Sequence, residues 1–243
     1  MKERRELLIQ SSRVLWHDGD CCVINKLPGE NPEDPVKFED SLYPRGAWRA
    51  VHRLDVPVSG CLLLTCTPKA ASYFSALFSS AGARGEVEKR YWAITEIPPS
   101  GVTLPGETWT AYTHWIVSDA VRNKSIAYTE EKKGGKKAVL SLRLAGRGDK
   151  YLFIEVDLLT GRHHQIRAQL AALGLRVKGD LKYGARRSEP EGGIRLHAAS
   201  LAFPGFPDSR ETVRVSAGPP VMDRLWSAFA ESLAAPKPSS PVP

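Results

Sequence analysis

The segment Val51-His52-Arg53-Leu54-Asp55-Val56-Pro57-Val58-Ser59-Gly60 sets a histidine, an arginine and a carboxylate side by side, directly ahead of the apolar run Gly60–Cys66. A carboxylate on a turn that feeds a buried strand is held at a cleft by that strand, where it can act as nucleophile or proton acceptor. The plainer reading of the same residues is an Arg–Asp pair that pins a loop. A second cluster, Thr160-Gly161-Arg162-His163-His164-Gln165-Ile166-Arg167, gathers two arginines and two histidines around a glycine turn at a strand-to-helix junction. Such a helix start with arginines suits an anion. Adjacent histidines on a helix point in different directions and cannot share an ion, so no metal site is expected there. Gly179-Asp180-Leu181-Lys182-Tyr183-Gly184 and Leu196-His197-Ala198 are weaker motifs, each compatible with a purely structural role.

The elements that must position these residues follow from hydrophobic period and turn chemistry. Val14–Trp16 and Cys22–Asn25 read as strands around a turn at 17–20, and Pro28–Pro35, with three prolines and three acids, as an exposed irregular loop. Gly60–Cys66 reads as a strand buried on both faces. Lys69–Ser80, with Ala70, Ala71, Phe74, Leu77 and Phe78 at helical spacing, reads as an amphipathic helix ending near Gly82, followed by a strand over Glu88–Ile94. Residues 121–150 carry nine Lys or Arg against three Asp or Glu, and their centre EEKKGGKK reads as a hairpin loop or flexible connector whose Gly134-Gly135 does not pack. Ala138–Leu144 and Tyr151–Leu159 read as neighbouring strands. His163–Leu173, with Ile166, Leu170 and Leu173 on one side and Gly174 after it, reads as a helix. The mixture is α+β.

The bulk numbers set limits on partner and compartment. The chain has 243 residues, 42% of them hydrophobic, and a formal net charge of +7. That excess suits a polyanionic partner. The four cysteines, at 21, 22, 61 and 66, have no zinc-type spacing and form no dense disulfide framework, which fits reduced thiols in a cytosolic protein. The start MKERRELLIQ has no apolar core of a signal peptide, and no apolar stretch approaches the roughly 18 residues of a membrane span. A cytoplasmic monomer without membrane contact is expected.

In this order, the segments resemble the RluA-type pseudouridine synthases, enzymes that modify ribosomal or transfer RNA. The resemblance is carried by HRLD, three residues and SG at 52–60; by K-x-Y at Lys89-Arg90-Tyr91; by TGR-x-HQIR at 160–167; by GD-x2-YG at 179–184; and by LHA at 196–198. Val23–Lys26 followed by Pro28-Gly29 is similar to the family's opening strand and turn, and the likeness runs from about Val14 to about Val215. It implies a pseudouridine synthase fold, with a large mixed, mainly antiparallel sheet flanked by helices. Residues 1–233 would form a single catalytic domain without the S4 RNA-binding domain that many relatives carry, with 234–243 a disordered tail. It further implies that Asp55 is the essential aspartate, that Tyr91 stacks on the target base, that Arg167 ion-pairs with Asp55, and that Arg53 fills the gap left by the extracted uridine. His52, Lys89, Arg162 and His164 complete the expected RNA-contacting set. Departures from the family pattern are His163, where a small apolar or hydroxyl residue is usual, Asn25-Lys26-Leu27-Pro28 in place of NKP, and the loop GENPEDP.

The implied roles make chemical sense. Isomerisation breaks the N1–C1′ bond, turns the base and forms C5–C1′, with no redox change or net hydrolysis, so no cofactor or metal is called for. A uridine in folded RNA must be flipped out at a cost of a few kcal/mol. Stacking on an aromatic face recovers about 1–3 kcal/mol. The carboxylate either attacks C1′ or removes the C2′ proton, and both routes need it ionised beside a cation. Two rivals remain: an RNA-binding protein that keeps the fold without catalysis, and a glycosidase-like hydrolase, which would need a second carboxylate about 5–9 Å from Asp55.

Overall fold

Strand outweighs helix in the computed structural model, which describes residues 7–38, 47–79, 86–206 and 211–234. In chain order the elements are β1 (Leu7–Ile9), β2 (Val14–Asp18), β3 (Cys21–Lys26), β4 (Val36–Phe38), β5 (Arg49–Ala50), β6 (Ser59–Thr65), α1 (Pro68–Phe78), β7 (Glu88–Glu96), β8 (Thr110–Asp119), β9 (Lys124–Tyr128), β10 (Lys136–Arg147), β11 (Tyr151–Leu158), α2 (Gln165–Ala172), β12 (Leu196–Pro204), β13 (Thr212–Ser216) and α3 (Arg224–Ala234). One sheet of eleven strands runs β2-β3-β6-β12-β7-β11-β10-β8-β9, with β13 added to β12 and β5 to β6. Its pairings are antiparallel apart from the short parallel match of β12 to β6. β1 and β4 make a separate parallel pair. The expected mixed, mainly antiparallel sheet flanked by helices is the observed one.

β6 explains why its sequence has no polar face. Cys61 and Leu63 join the cluster under α1 with Phe74 and Leu77, whereas Leu62 and Leu64 join the opposite cluster with Ile166 and Leu170 of α2. A strand covered on both sides must be apolar on both faces, as Cys61–Leu64 are. Gly60 enters this strand at φ 114°, and a β-carbon there would stand 2.3 Å from the Ala198 carbonyl oxygen. Only glycine lets β6 and β12 approach so closely. Beside it Ser59 Oγ meets His197 Nδ1 at 2.9 Å, and His197 Nε2 meets the Ala217 carbonyl at 2.9 Å. A carbonyl only accepts, so Nε2 carries the proton and the serine hydroxyl donates to Nδ1.

α1 begins where Thr67 Oγ1 accepts the Ala70 N–H and Pro68 occupies the first turn. It ends at Phe78, and the expected end near Gly82 lies outside the described residues, as does the tail from 235 onward. α3 covers the face opposite α2, with Trp226 and Phe229 on Ile94 and Phe153.

Three local expectations need correction. The loop over 28–35 is irregular but half-buried, because Glu30 is drawn inward by Arg13, whose guanidinium meets both carboxylate oxygens at 2.7 Å. The basic segment is not a hairpin loop. β9 and β10 flank β8 on opposite sides, so residues 129–135 cross over it. Gly135 is also packed, since a β-carbon would come within 3.2 Å of Trp115 Cβ. All four cysteines are free, and burial pushes the Cys21 and Cys61 thiols up to about 12. No helix among the described residues is long and apolar enough to cross a membrane.

Candidate active site

Asp55 lies on the turn between β5 and β6, and the turn is clamped through its backbone. Val58 N–H donates to the Asp55 carbonyl at 3.0 Å, Gly29 N–H to Val56 O at 2.8 Å, and Ile194 N–H to Pro57 O at 3.1 Å. Lys26 Nζ adds bonds to Leu27 O at 2.8 Å and Val56 O at 3.1 Å. That lysine is buried, and burial lowers its pKa to about 8. The lysine of the opening motif therefore holds the Asp55 turn rather than meeting solvent.

The turn preceding α2 is folded by Gln165. Its Oε1 accepts from Thr160 Oγ1 at 2.8 Å and from Arg162 N–H at 2.9 Å, while its Nε2 donates to Val139 O at 3.1 Å. α2 starts at Gln165, so His163 and His164 precede it rather than forming its first turn. Their rings stack, with centroids 3.9 Å apart and planes 18° off parallel. The helix is also buried almost all round, not along one stripe, because it fills the space over β8 and β9.

This buried start carries Arg167 to Asp55. Arg167 Nη1 donates to Asp55 Oδ2 at 3.0 Å, while Nε and Nη2 make a fork to Asp180 at 2.6 and 2.8 Å. The guanidinium lies over the Tyr183 ring at 4.9 Å. Burial alone would lower the arginine's pKa, but the two carboxylates outweigh it and raise it. Asp180 and Tyr183 were not assigned a role from the sequence. Their only signal was the spacing GD-x2-YG, which does not say what they touch. Asp180 is a second carboxylate across the arginine from Asp55, yet it is 1% exposed and taken up by the fork, so it is not placed for hydrolytic chemistry.

Asp55, Tyr91, Arg167, Arg53, Arg162 and His164 line one cleft with Leu54, Val58, Ile166 and Leu196. Tyr91 is buried, and burial raises its phenol above its ordinary range, helped by the charge of Asp55. Arg53 stands exposed at the mouth. An adjoining cavity of about 350 Å³ shares Arg53 and Tyr91 and is lined also by His52 and Lys89. His52 is turned inward: its Nε2 accepts the Leu63 N–H at 3.0 Å, and its ring stacks on Phe78 at 4.6 Å. It offers no cation to RNA. Lys89 is buried beside the same Phe78, 5.9 Å from the ring, and burial lowers its pKa. Arg162 Nε donates to Lys137 O at 3.1 Å.

Three imidazoles are thus neutral by burial. Burial pushes His52 down to about 3 (with Lys89 adding to it), and His164 and His197 to about 4. Each folded value lies below the unfolded one near 6.5, so the unfolded chain takes up protons that the folded chain does not. Stability is therefore complete above about pH 6.5 and is lost as pH falls toward 4. At pH 5 the rings of His52, His164 and His197 each cost about 2 kcal/mol, so the melting temperature should lie roughly 15 °C below that at pH 7. Equal melting at the two values would show that these rings are not held neutral.

Comparison with known proteins agrees with this geometry. A family model for RNA pseudouridylate synthase matches residues 32–172. The chain is 31% identical over 214 residues to an uncharacterized RNA pseudouridine synthase of Zymomonas mobilis, covering 79% of this chain and 88% of that protein. It is 27% identical over 198 residues to the dual-specificity RNA pseudouridine synthase RluA of Vibrio cholerae, covering 78% of this chain and 76% of that one. Its fold is similar to that of a human RNA pseudouridylate synthase domain-containing protein, with a TM-score of 0.65, 20% identity, and 94% and 95% of the two chains covered. The HRLD, K-x-Y and HQIR segments converge on one cleft, and the family match spans more than half of the chain. On these grounds the chain belongs to the RluA-type family of RNA pseudouridine synthases, isomerases of uridine in RNA.

Proposed function

We propose that Asp55 is the carboxylate at which this enzyme isomerises uridine, and that it acts on a base flipped out of structured ribosomal or transfer RNA. The observation that carries the reading is the Asp55 carboxylate 3.0 Å from Arg167 Nη1 in a cleft walled by the buried Tyr91. The arginine supplies the counter-charge that an ionised acid needs beside an anionic polymer. The tyrosine supplies a face for the extruded base. Arg53, exposed and lining the cleft, would enter the stack that the base leaves. Arg162 and Lys89 add positive charge along the two connected cavities. With Asp55 beside the sugar, both attack at C1′ and removal of the C2′ proton start from the same ionised carboxylate.

Purified protein incubated with total RNA should convert particular uridines to pseudouridine, read by mapping pseudouridines with and without the enzyme. RNA left unchanged would favour a binding protein of the same fold. Tyr91 divides binding from chemistry. Tyr91→Phe keeps the stacking face and should bind RNA nearly as wild type, whereas Tyr91→Ala should lose roughly 1–3 kcal/mol of affinity. A slow Tyr91→Phe would place the phenol in proton transfer at C5. Equal affinity for the two variants would show that Tyr91 does not stack on the base.

A further inference from the structure

His164 has a backbone φ of 51°, the left-handed region, which strains a residue with a β-carbon and is found mainly where a site requires it. The ring is held in place. His163 stacks on one face and is itself tied through Nδ1 to Ser125 Oγ at 2.9 Å. His164 Nδ1 lies 3.1 Å from the Tyr183 hydroxyl.

Counting donors decides which ring nitrogen carries the hydrogen. Tyr183 has one hydroxyl proton and donates it to the Ser125 carbonyl at 3.0 Å. The same oxygen accepts the Ser125 N–H at 2.9 Å. Its remaining lone pair faces His164, so Nδ1 carries the hydrogen and donates it. Burial keeps the tyrosine protonated by raising its pKa to about 12 and keeps the imidazole neutral by lowering its pKa to about 4. Nε2 is then a bare lone pair facing the cleft, 3.8 Å from Asp55 Oδ2. Two acceptors oppose each other across a gap too long for a hydrogen bond. A donor hydrogen from a ligand would satisfy both.

We propose that His164 Nε2 accepts a hydrogen bond from the ribose 2′-hydroxyl of the target uridine and is thereby a residue that selects RNA over DNA. The assignment rests on Asp55 being the carboxylate that acts at the sugar. Within an RNA strand the 3′ and 5′ oxygens are esterified and O4′ only accepts, so the 2′-hydroxyl is the one hydroxyl donor of that ribose. It sits on C2′, next to the C1′ at which the bond is exchanged, and therefore beside any carboxylate aimed there. The 2′-hydroxyl is also the group by which a protein tells RNA from DNA at a single site. The other donor of a uridine, N3–H, belongs to the base and travels with it to Tyr91.

The probe is a synthetic stem-loop carrying a uridine that the purified protein modifies in total RNA. It is made with ribouridine, 2′-deoxyuridine or N3-methyluridine at that one position. Binding is measured with Asp55→Ala protein, which cannot turn the probe over and leaves no polar side-chain atom at 55 to compete for Nε2 or for the 2′-hydroxyl. With His164 present, the deoxy probe should bind roughly fivefold to tenfold more weakly than the ribo probe, the size of one neutral hydrogen bond. With Asp55→Ala/His164→Phe the two probes should bind alike, and the N3-methyl penalty should be the same in both proteins. His164→Ala gives the same reading where the phenylalanine ring lowers the melting temperature. A deoxy penalty unchanged by either substitution overturns the proposal. So does an N3-methyl penalty that vanishes with His164, which would assign Nε2 to the base. Either result leaves the Asp55 reading intact, which is judged separately by turnover of Asp55→Asn. A protein that modifies no uridine overturns both.

Discussion

Asp55→Asn should lower pseudouridine formation by three orders of magnitude or more, about 4 kcal/mol of barrier, with little change in melting. Asparagine has nearly the same shape, and its carbonyl oxygen can still accept from Arg167 Nη1, which lies 3.0 Å from Asp55 Oδ2. Arg167 keeps its fork to Asp180, and the turn keeps its backbone clamps at Val56, Pro57 and Val58. What disappears is the negative charge and the nucleophilic or basic oxygen. Formation of C5–C1′ expels the hydrogen at C5, so tritium released from RNA labelled at uridine C5 counts the reaction directly. Turnover within tenfold of wild type would remove Asp55 as the reacting group. A parallel melting curve separates this from unfolding.

The second large effect falls on Arg167. Arg167→Met should cut turnover as severely and also destabilise the fold by about 3–5 kcal/mol, a fall in melting temperature of roughly 10 °C. The arginine serves two carboxylates, and Asp180 is buried with two of the three arginine hydrogen bonds. Removing it leaves Asp180 without its counter-charge in the interior and Asp55 without one in the cleft. Breaking a buried pair costs chiefly through the charge left behind. Arg167→Met/Asp180→Leu should therefore regain much of the stability and none of the turnover. An Arg167→Met protein with wild-type turnover and melting would contradict the pairing. Recovery of turnover in the double variant would show that Arg167 acts only through Asp180.

Much of the chemistry and the strand pattern was readable from residue types and local spacing. β6 reads as buried because Gly60–Cys66 is a nearly continuous apolar run, and the structure covers both of its faces. α1 declares itself through the helical spacing of Ala70, Ala71, Phe74, Leu77 and Phe78, although its start at Thr67 and Pro68 shows only in the structure. Asp55, Tyr91 and Arg167 stand out because their flanking motifs are local in sequence, and local motifs survive without knowledge of the fold. The half-buried 28–35 loop, the crossing at 129–135 and the buried histidine turn before α2 were not readable. Each depends on what lies opposite: Arg13 for Glu30, β8 for the basic segment, Tyr183 and Ser125 for His164.

The division has a physical cause. Capping, turn formation and period-two burial act over a few residues, so the amino-acid order alone determined β2, β3, β6, β7, β10 and β11, the first helix and the kinds of side chain available for reaction, but not β8, β9 or β12. Asp55 and Arg167 are 112 positions apart, and their meeting depends on β12 lying between β6 and β7 in the sheet. Strand order is decided by which apolar faces can be covered together, and a two-residue period is the same for every neighbour a strand might take. The tertiary structure alone therefore decided that Arg167 is shared between the Asp55 carboxylate in the cleft and the buried Asp180. It also decided that His52 turns its Nε2 to the Leu63 amide, and that His164 faces the cleft beside Asp55.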